Sequence, residues 1–125
     1  MPDPLFLLDS NICIYLLAGS SDTLRERVET FEPGELAVSA VAYAETMLGA
    51  RRSNTVLQAT ALFRIIEVLP FDASAAERYS ELSFRRGSYD RLIAAHALSV
   101  GLPLVTNNEA DFADIAGLKV ENWTI

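Results

Sequence analysis

The sequence contains a single cysteine and a single histidine in 125 residues. One cysteine excludes an internal disulfide. Cys13 lies in an apolar stretch without a neighbouring cation, which predicts a buried small hydrophobe in a reducing compartment and not a reactive thiol. One histidine and one cysteine cannot supply the ligand set of a protein zinc site. His96 lies among alanines in a helical pattern, where we expect it on the helix surface and outside any Ser-His-Asp site.

Long apolar segments and glycine-rich phosphate loops are also absent. No segment is long and apolar enough to cross a bilayer, and no basic segment followed by an apolar one marks a signal peptide. We therefore expect a cytoplasmic protein that does not bind a membrane. The lack of a glycine-rich loop disfavours nucleotide binding of the P-loop or dinucleotide type. Because 50% of the residues are hydrophobic, we expect a single domain, residues 1–125, with a core that needs no disulfide.

Positive charge is scarce in this sequence. Ten Lys and Arg residues against 17 Asp and Glu residues give a formal net charge of −7. Taken alone, this argues against nucleic-acid binding, which needs cationic contacts to phosphates, although bound divalent ions would cancel part of the negative charge. The arginines cluster at Arg51-Arg52 and at Arg85-Arg86 with Arg91. A solvated helix surface and phosphate contact explain these clusters about equally well.

Short apolar segments alternate with helical patterns along the chain. The predicted strands are Leu5–Leu8, Leu36–Val38, Ile65–Leu69, Leu104–Thr106 and Lys119–Glu121. The predicted helices are Asn11–Ala18, Thr23–Phe31, Val41–Ala50, Val56–Arg64, Ser74–Arg86 with a Ser74…Glu77 capping box, and Asp90–Val100. This alternation predicts an α/β sandwich with a mainly parallel sheet, in which ligands bind at the carboxyl ends of the strands.

Four carboxylates lie next to apolar segments: Asp9, Glu45, Asp90 and Asp111. An isolated carboxylate beside a core costs several kcal/mol unless it is paired, hydrogen-bonded or bound to a cation. Four of them in one small domain therefore suggest a shared cation. Oxygen ligands suit Mg²⁺ or Mn²⁺, and such an ion can generate a hydroxide nucleophile and stabilise the leaving oxygen of a phosphodiester.

Each carboxylate also has a simpler explanation. Asp9 could cap the following helix, although the next two residues could do so equally well. Glu45 shares a helix face with Leu48, a face that we expect to point inward, but it could be a solvated surface residue. Asp90 could cap its helix or complement the helix dipole. Asp111 could be a solvated loop residue.

Several motifs in fixed order resemble those of a known family. They are Leu8-Asp9-Ser10-Asn11, residues 39–45 (SAVAYAE), residues 89–97 (YDRLIAAHA), Leu104-Val105-Thr106-Asn107-Asn108, Asp111-Phe112 and residues 117–123 (GLKVENW). Each motif is weak alone, but together they resemble the PIN-domain family, and within it the VapC-type toxins of bacterial toxin–antitoxin pairs. The resemblance extends from Leu5 to Trp123.

The resemblance implies a PIN-like three-layer α/β/α sandwich and a Mg²⁺- or Mn²⁺-dependent endoribonuclease that cuts structured RNA, often tRNA or ribosomal RNA. It also implies a homodimer, neutralised by a VapB-type antitoxin whose tail enters the active-site groove. By position, the catalytic residues would be Asp9, Glu45, Asp90 and Asp111, the first three also binding the metal, with Asn11, Thr106, Asn108 and Arg91 binding substrate or supporting the site.

The chain departs from the family pattern at two positions. Many PIN domains have an acid where this chain has Asn108, so the fourth carboxylate would be Asp111. The segment before Asp90 is also shorter than in such relatives. The missing acid at position 108 leaves open a PIN-like protein-binding module with weakened catalysis. A metal-dependent nuclease or phosphatase with another substrate also stays open, because the same site chemistry would serve it.

Overall fold

Five short parallel strands form one sheet in the computed structural model, which describes residues 2–82 and 88–125. The strands are β1 (Phe6–Leu8), β2 (Leu36–Ser39), β3 (Glu67–Leu69), β4 (Leu104–Val105) and β5 (Val120–Glu121). Their order in the sheet is β3-β2-β1-β4-β5, and every pairing is parallel. The predicted α/β fold with a mainly parallel sheet is confirmed, with strand ends that differ by one or two residues.

Six α-helices connect the strands in the described part of the chain. They are α1 (Ser10–Ala18), α2 (Asp22–Glu29), α3 (Ala40–Arg52), α4 (Val56–Leu62), α5 (Ala73–Glu81) and α6 (Tyr89–Val100). A 3-10 helix spans Glu109–Phe112. No described helix has both the length and the apolar character that a membrane crossing requires.

The start of α5 differs from the prediction. The N-cap is Asp72, whose Oδ1 accepts the Ala75 N–H at 3.0 Å, so the capping box predicted at Ser74 is wrong. Asp is at least as good an N-cap as Ser, and it lies two residues earlier in the chain. The predicted continuation of this helix to Arg86, and the Arg85-Arg86 pair, lie outside the described residues.

The central strands of the sheet are covered on both faces. The fully buried apolar strand residues are Leu7, Leu8, Ala37, Val38, Leu104 and Val105. Burial of each Leu or Val side chain contributes about 1.5–3 kcal/mol, so these strands form the centre of the core. Cys13 is fully buried as predicted, and burial, together with the charge of Asp9, raises the pKa of its thiol to about 12. The thiol is therefore protonated and unreactive at neutral pH.

The connection order creates a switch point in the sheet. The chain builds outward from β1 to β2 and β3, and it then returns to β4 on the other side of β1. In open parallel sheets, ligands bind at the carboxyl ends of the two strands on either side of such a point, here β1 and β4. Asp9 and Thr106 directly follow these strand ends.

Candidate active site

Asp9 links the two strands at the switch point. It follows β1 and is the N-cap of α1, where its Oδ1 accepts the Asn11 N–H at 2.7 Å. Its Oδ2 accepts the hydroxyl proton of the fully buried Thr106 at 2.5 Å. Capping and a site role were predicted as alternatives, but Asp9 does cap the helix while its second oxygen is held across the switch point. The carboxylate is therefore fixed in one orientation.

The environment of Asp9 is unfavourable for a negative charge. Only 2% of the residue is exposed, and this burial is the main cause that raises the pKa of its carboxyl group. The charges of Asp90 and Asp111 raise this pKa further, whereas the hydrogen bonds from Thr106 and Asn11 lower it. Two hydrogen bonds do not offset the burial, so a bound cation would stabilise this carboxylate.

Glu45 lies in the second turn of α3 and is half-buried. Its Oε1 is inaccessible to solvent and has no hydrogen-bond partner among the described residues. Burial raises the pKa of the Glu45 carboxyl group, the Ser10 hydroxyl lowers it, and the charges of Asp90 and Asp9 raise it. A buried carboxylate oxygen without a partner is rare in folded proteins, and it is an available ligand for a cation.

We expected the helix face that carries Glu45 to point into the core, but it does not. Leu48 on this face is 52% exposed. The face instead forms one wall of a groove of about 410 Å³ against the start of α6. The groove is lined by Ala40, Val41, Ala44, Glu45, Leu48, Phe71, Tyr89 and Leu92. The apolar pattern of α3 therefore indicates a groove wall as well as a core face.

Asp90 lies in the first turn of α6, and it is not the helix cap. The cap is Ser88, whose Oγ accepts the Asp90 N–H at 3.0 Å. Burial raises the pKa of the Asp90 carboxyl group and the charge of Asp111 raises it further, while Ser88 and Arg91 lower it. The charge of Asp111 therefore acts on Asp90 as it does on Asp9. Capping does not account for Asp90, whereas its place in the first turn does complement the helix dipole.

Asp111 is an exposed residue of the 3-10 helix. Its Oδ2 accepts a proton of the Asn108 side-chain amide at 2.5 Å, and the Asn108 backbone N–H donates to Thr106 Oγ1 at 3.1 Å. The charge of Asp111 raises the pKa of both Asp9 and Asp90. Its local sequence gave the weakest signal of the four acids, yet the fold brings it to the same edge. We call Asp9, Glu45, Asp90 and Asp111 the acidic rim.

Arg91 fits neither of the explanations that the sequence left open. Its side chain is buried, and its Nη2 donates to Asp114 Oδ2 at 2.6 Å. The guanidinium is therefore neither a solvated surface group nor free to contact phosphate. A buried cation requires a charged partner, and Asp114 lies too far along the chain for the sequence pattern to pair the two. Arg51-Arg52 is exposed at the end of α3, as a solvated surface would be.

Two polar contacts near the rim were not predicted. His96 is 1% exposed and not on the helix surface, and its Nδ1 lies 2.7 Å from Ser39 Oγ. The small alanines around His96 allow α6 to be enclosed on all sides. This run of alanines was the feature of the sequence that could have indicated a buried histidine. The Asn107 amide donates to the Tyr15 hydroxyl oxygen at 2.9 Å. Nothing in the local sequence indicated this second contact.

The donor set of the acidic rim fits a hard divalent cation. All candidate ligands are oxygens, and one carboxylate oxygen of Glu45 is buried without a partner. Within residues 2–82 and 88–125, no three His, Cys, Asp or Glu side chains are close enough to enclose an ion by themselves. Mg²⁺ typically binds one or two carboxylates and keeps several waters, so a closed protein cage is not required.

Residues 6–118 match the PIN domain family. The tRNA(fMet)-specific endonuclease VapC of Shigella flexneri is 33% identical to this chain, over 95% of the chain and 98% of the relative. Ribonuclease VapC2 of Rickettsia felis is 30% identical, over 95% and 98%.

Solved structures show the same likeness. DNA-bound VapBC from Salmonella typhimurium matches with a TM-score of 0.83 and 31% identity, covering 96% of this chain and 98% of that one. VapBC-1 from nontypeable Haemophilus influenzae matches with a TM-score of 0.83 and 28% identity, over 97% and 99%. The family match covers most of the sequence, and the relatives match nearly end to end. This chain therefore belongs to the PIN-domain family.

Proposed function

We propose that this protein is a Mg²⁺- or Mn²⁺-dependent endoribonuclease, the toxin of a toxin–antitoxin pair, that cleaves phosphodiester bonds in tRNA or ribosomal RNA. The observation that carries the proposal is the acidic rim. Its carboxylates come from the residue after β1, from α3, from α6 and from the 3-10 helix, and the negative charges of Asp9, Asp90 and Asp111 act on other rim members. The ribonuclease names of the relatives support the same activity.

The rim residues have distinct proposed roles. Asp9, Glu45 and Asp90 would hold the metal, and Asp111 would complete the catalytic set. A bound Mg²⁺ or Mn²⁺ supplies Lewis-acid stabilisation and lowers the pKa of coordinated water. Thr106 holds Asp9 in place through its hydroxyl, and Asn108 orients both Thr106 and Asp111. Such supporting hydrogen bonds fix the direction in which carboxylate oxygens face the ion.

A VapB-type antitoxin is the proposed partner. Two of the matched structures are of VapBC and VapBC-1, and the formal charge of −7 favours a basic peptide. Arginine side chains of such a peptide would pair with rim carboxylates and displace the metal. We further propose one PIN-like domain over residues 1–125 and a homodimer located in the cytoplasm, as the family resemblance implies.

The direct test compares RNA cleavage by the wild-type protein and by Asp9→Asn, each with Mn²⁺ and with EDTA. Asn is also a good N-cap, so the variant should keep α1 and the fold. We expect EDTA to abolish cleavage and Asp9→Asn to lower it by at least about 100-fold. Cleavage that survives both the chelator and the substitution would refute the proposal.

A protein-binding module with weakened catalysis is the second candidate. Asn108 stands where many PIN domains have an acid, and the described rim forms no closed ligand cage. Calorimetric titration of Mn²⁺ into the metal-free protein separates the two, since tight binding would contradict the second candidate. If metal binds but RNA is not cut, a panel of single-stranded DNA, duplex DNA and phosphomonoesters tests for a nuclease or phosphatase of another substrate.

A further inference from the structure

A buried hydrogen bond joins α6 to the start of α3. Nδ1 of His96 lies 2.7 Å from Oγ of Ser39, and the two residues are 1% and 0% exposed. Ser39 is the N-cap of α3, and its Oγ accepts the Val41 N–H at 3.1 Å. The ring of Phe71 contacts the imidazole edge-to-face, with ring centroids 5.5 Å apart. The imidazole is therefore held in one orientation between two elements that are distant in sequence.

A neutral imidazole and a hydroxyl can share one hydrogen bond in this contact. Burial lowers the pKa of His96 below its usual value of 6.5, although the charge of Asp72 raises it, so the ring is neutral at pH 7. Ser39 Oγ accepts a backbone N–H and keeps one proton of its own, which it can donate to Nδ1 in the tautomer that has the ring proton on Nε2. A side chain of α6 therefore holds the hydroxyl group that caps α3.

The two joined helices carry two of the rim carboxylates. Glu45 lies six residues after Ser39 on α3, and Asp90 lies six residues before His96 on α6. The same helices form the two main walls of the groove beside Glu45, and Leu92 in that groove is one turn before His96. A change at the Ser39–His96 contact would therefore shift one wall relative to the other.

We propose that His96 is a positioning residue of the active site. By holding the Ser39 hydroxyl it fixes the first turns of α3, and so it sets the Glu45 carboxylate relative to Asp90. The catalytic consequence rests on the proposed function, but the structural link can be measured in the metal-free protein. Misplacement of a site group by about 1 Å can lower the rate about 100-fold. Loss of the contact that positions α3 should therefore lower the rate of RNA cleavage.

The kinetic test compares His96→Leu, His96→Asn and a matched control, Thr46→Val. Thr46 is another buried hydroxyl of α3, but it donates to Ala42 O within the same helix at 2.8 Å. We expect His96→Leu to lower kcat for RNA cleavage about 10-fold with KM within about twofold. His96→Asn, whose amide oxygen can accept the Ser39 proton, should restore most of the rate. Thr46→Val should lower stability but keep kcat within about twofold.

The second readout does not depend on activity. The ¹³C chemical shift of the Glu45 carboxyl carbon is measured at fixed pH in metal-free wild type, His96→Leu, Ser39→Ala and the double variant. We expect both single variants to displace this signal, and Ser39→Ala, which also removes the cap bond to the Val41 N–H, to displace it at least as far. The double variant should match Ser39→Ala, because the His96 contact is already lost in that single variant. Thr46→Val should leave the signal in place.

The outcomes separate the two proposals. If the wild-type protein does not cut RNA, the proposed function fails, and the chemical-shift cycle still decides the role of His96. The role of His96 is overturned if the Glu45 signal is unmoved in folded His96→Leu, or if the His96 and Ser39 effects add independently. It is also overturned if His96→Asn folds but restores no more activity than His96→Leu.

Discussion

Phe6, Phe31 and Trp123 form an aromatic cluster. Neighbouring groups stabilise one another in this cluster, whereas they destabilise one another at the acidic rim. Phe31 stacks on Trp123 with centroids 5.3 Å apart, and Phe6 contacts both rings edge-on. The Arg27 guanidinium lies 4.8 Å from the Trp123 ring centroid, and Trp123 Nε1–H donates to Glu121 Oε1 at 3.0 Å. Polar and apolar contacts reinforce each other there, as expected of a region that stabilises the fold.

At the acidic rim, by contrast, the polar groups oppose one another. Burial raises the pKa of Asp9, Glu45 and Asp90, and neighbouring carboxylates raise these pKa values further. Such an arrangement destabilises the metal-free fold, and a protein retains it where function requires it. The comparison indicates that the aromatic cluster stabilises the fold and that the acidic rim destabilises it. We therefore expect that substitutions in one region leave the other unchanged.

Trp123→Ala should have the largest effect on stability. Trp123 is 4% exposed, so its truncation leaves a cavity among the aromatic rings and should cost about 3–5 kcal/mol of the free energy of unfolding. Mn²⁺ affinity of the folded protein should not change. Urea unfolding and calorimetry measure the two quantities, with Leu57→Ala, at an 85% exposed position, as the control. A loss of metal affinity in folded Trp123→Ala would contradict the separation of the two regions.

Thr106→Val should act mainly on Mn²⁺ affinity. It keeps the side-chain shape but removes the hydroxyl that donates to Asp9 Oδ2 and accepts the Asn108 N–H. The Asp9 carboxylate is then no longer fixed across the switch point. We expect Mn²⁺ affinity to fall by about 10- to 100-fold. Thr106→Ser, which keeps the hydroxyl, is the matched control and should bind nearly as the wild type does. Equal affinities of the Val and Ser variants in a calorimetric titration would show that this hydrogen bond does not serve the site.

Asp90→Asn should change the stability of the metal-free protein only slightly, and the size of this change should depend on pH. The pKa of Asp90 is raised in the folded state, so at acid pH the folded protein binds more protons than the unfolded chain. Stability associated with this group is therefore complete below about pH 4 and is lost as pH rises through the folded pKa. Removing the charge should stabilise metal-free protein at pH 7 by about 1 kcal/mol, or about 4 °C in Tm.

The measurement for Asp90→Asn is the difference in free energy of unfolding from wild type at several pH values between about 4 and 7.5. Taking the difference cancels His96, whose lowered pKa acts in the opposite direction. We expect the difference to grow with pH and to disappear or reverse when Mn²⁺ is added, because the ion stabilises the charged form. A difference that is constant with pH would show that the Asp90 pKa is not raised.

The order of helices and strands could be predicted because apolar runs and capping residues are local signals. The ends of β1 and β4 followed from their apolar segments, and both precede polar residues at one edge of a parallel sheet. The local pattern gave the wrong prediction where the burial of a side chain depended on a partner far along the chain. Arg91 is buried because Asp114 pairs with it, and His96 is buried because Ser39 meets it from another helix. No spacing rule connects residues 57 positions apart.

The amino-acid order alone determined that carboxylates follow or interrupt apolar segments, since side-chain periodicity and strand propensity act over a few residues. The tertiary structure decided which of those carboxylates influence one another. Asp111, which had the weakest local signal, raises the pKa of Asp9 and Asp90. Electrostatic interaction and desolvation depend on distance in space and on exclusion of water, and folding alone sets both.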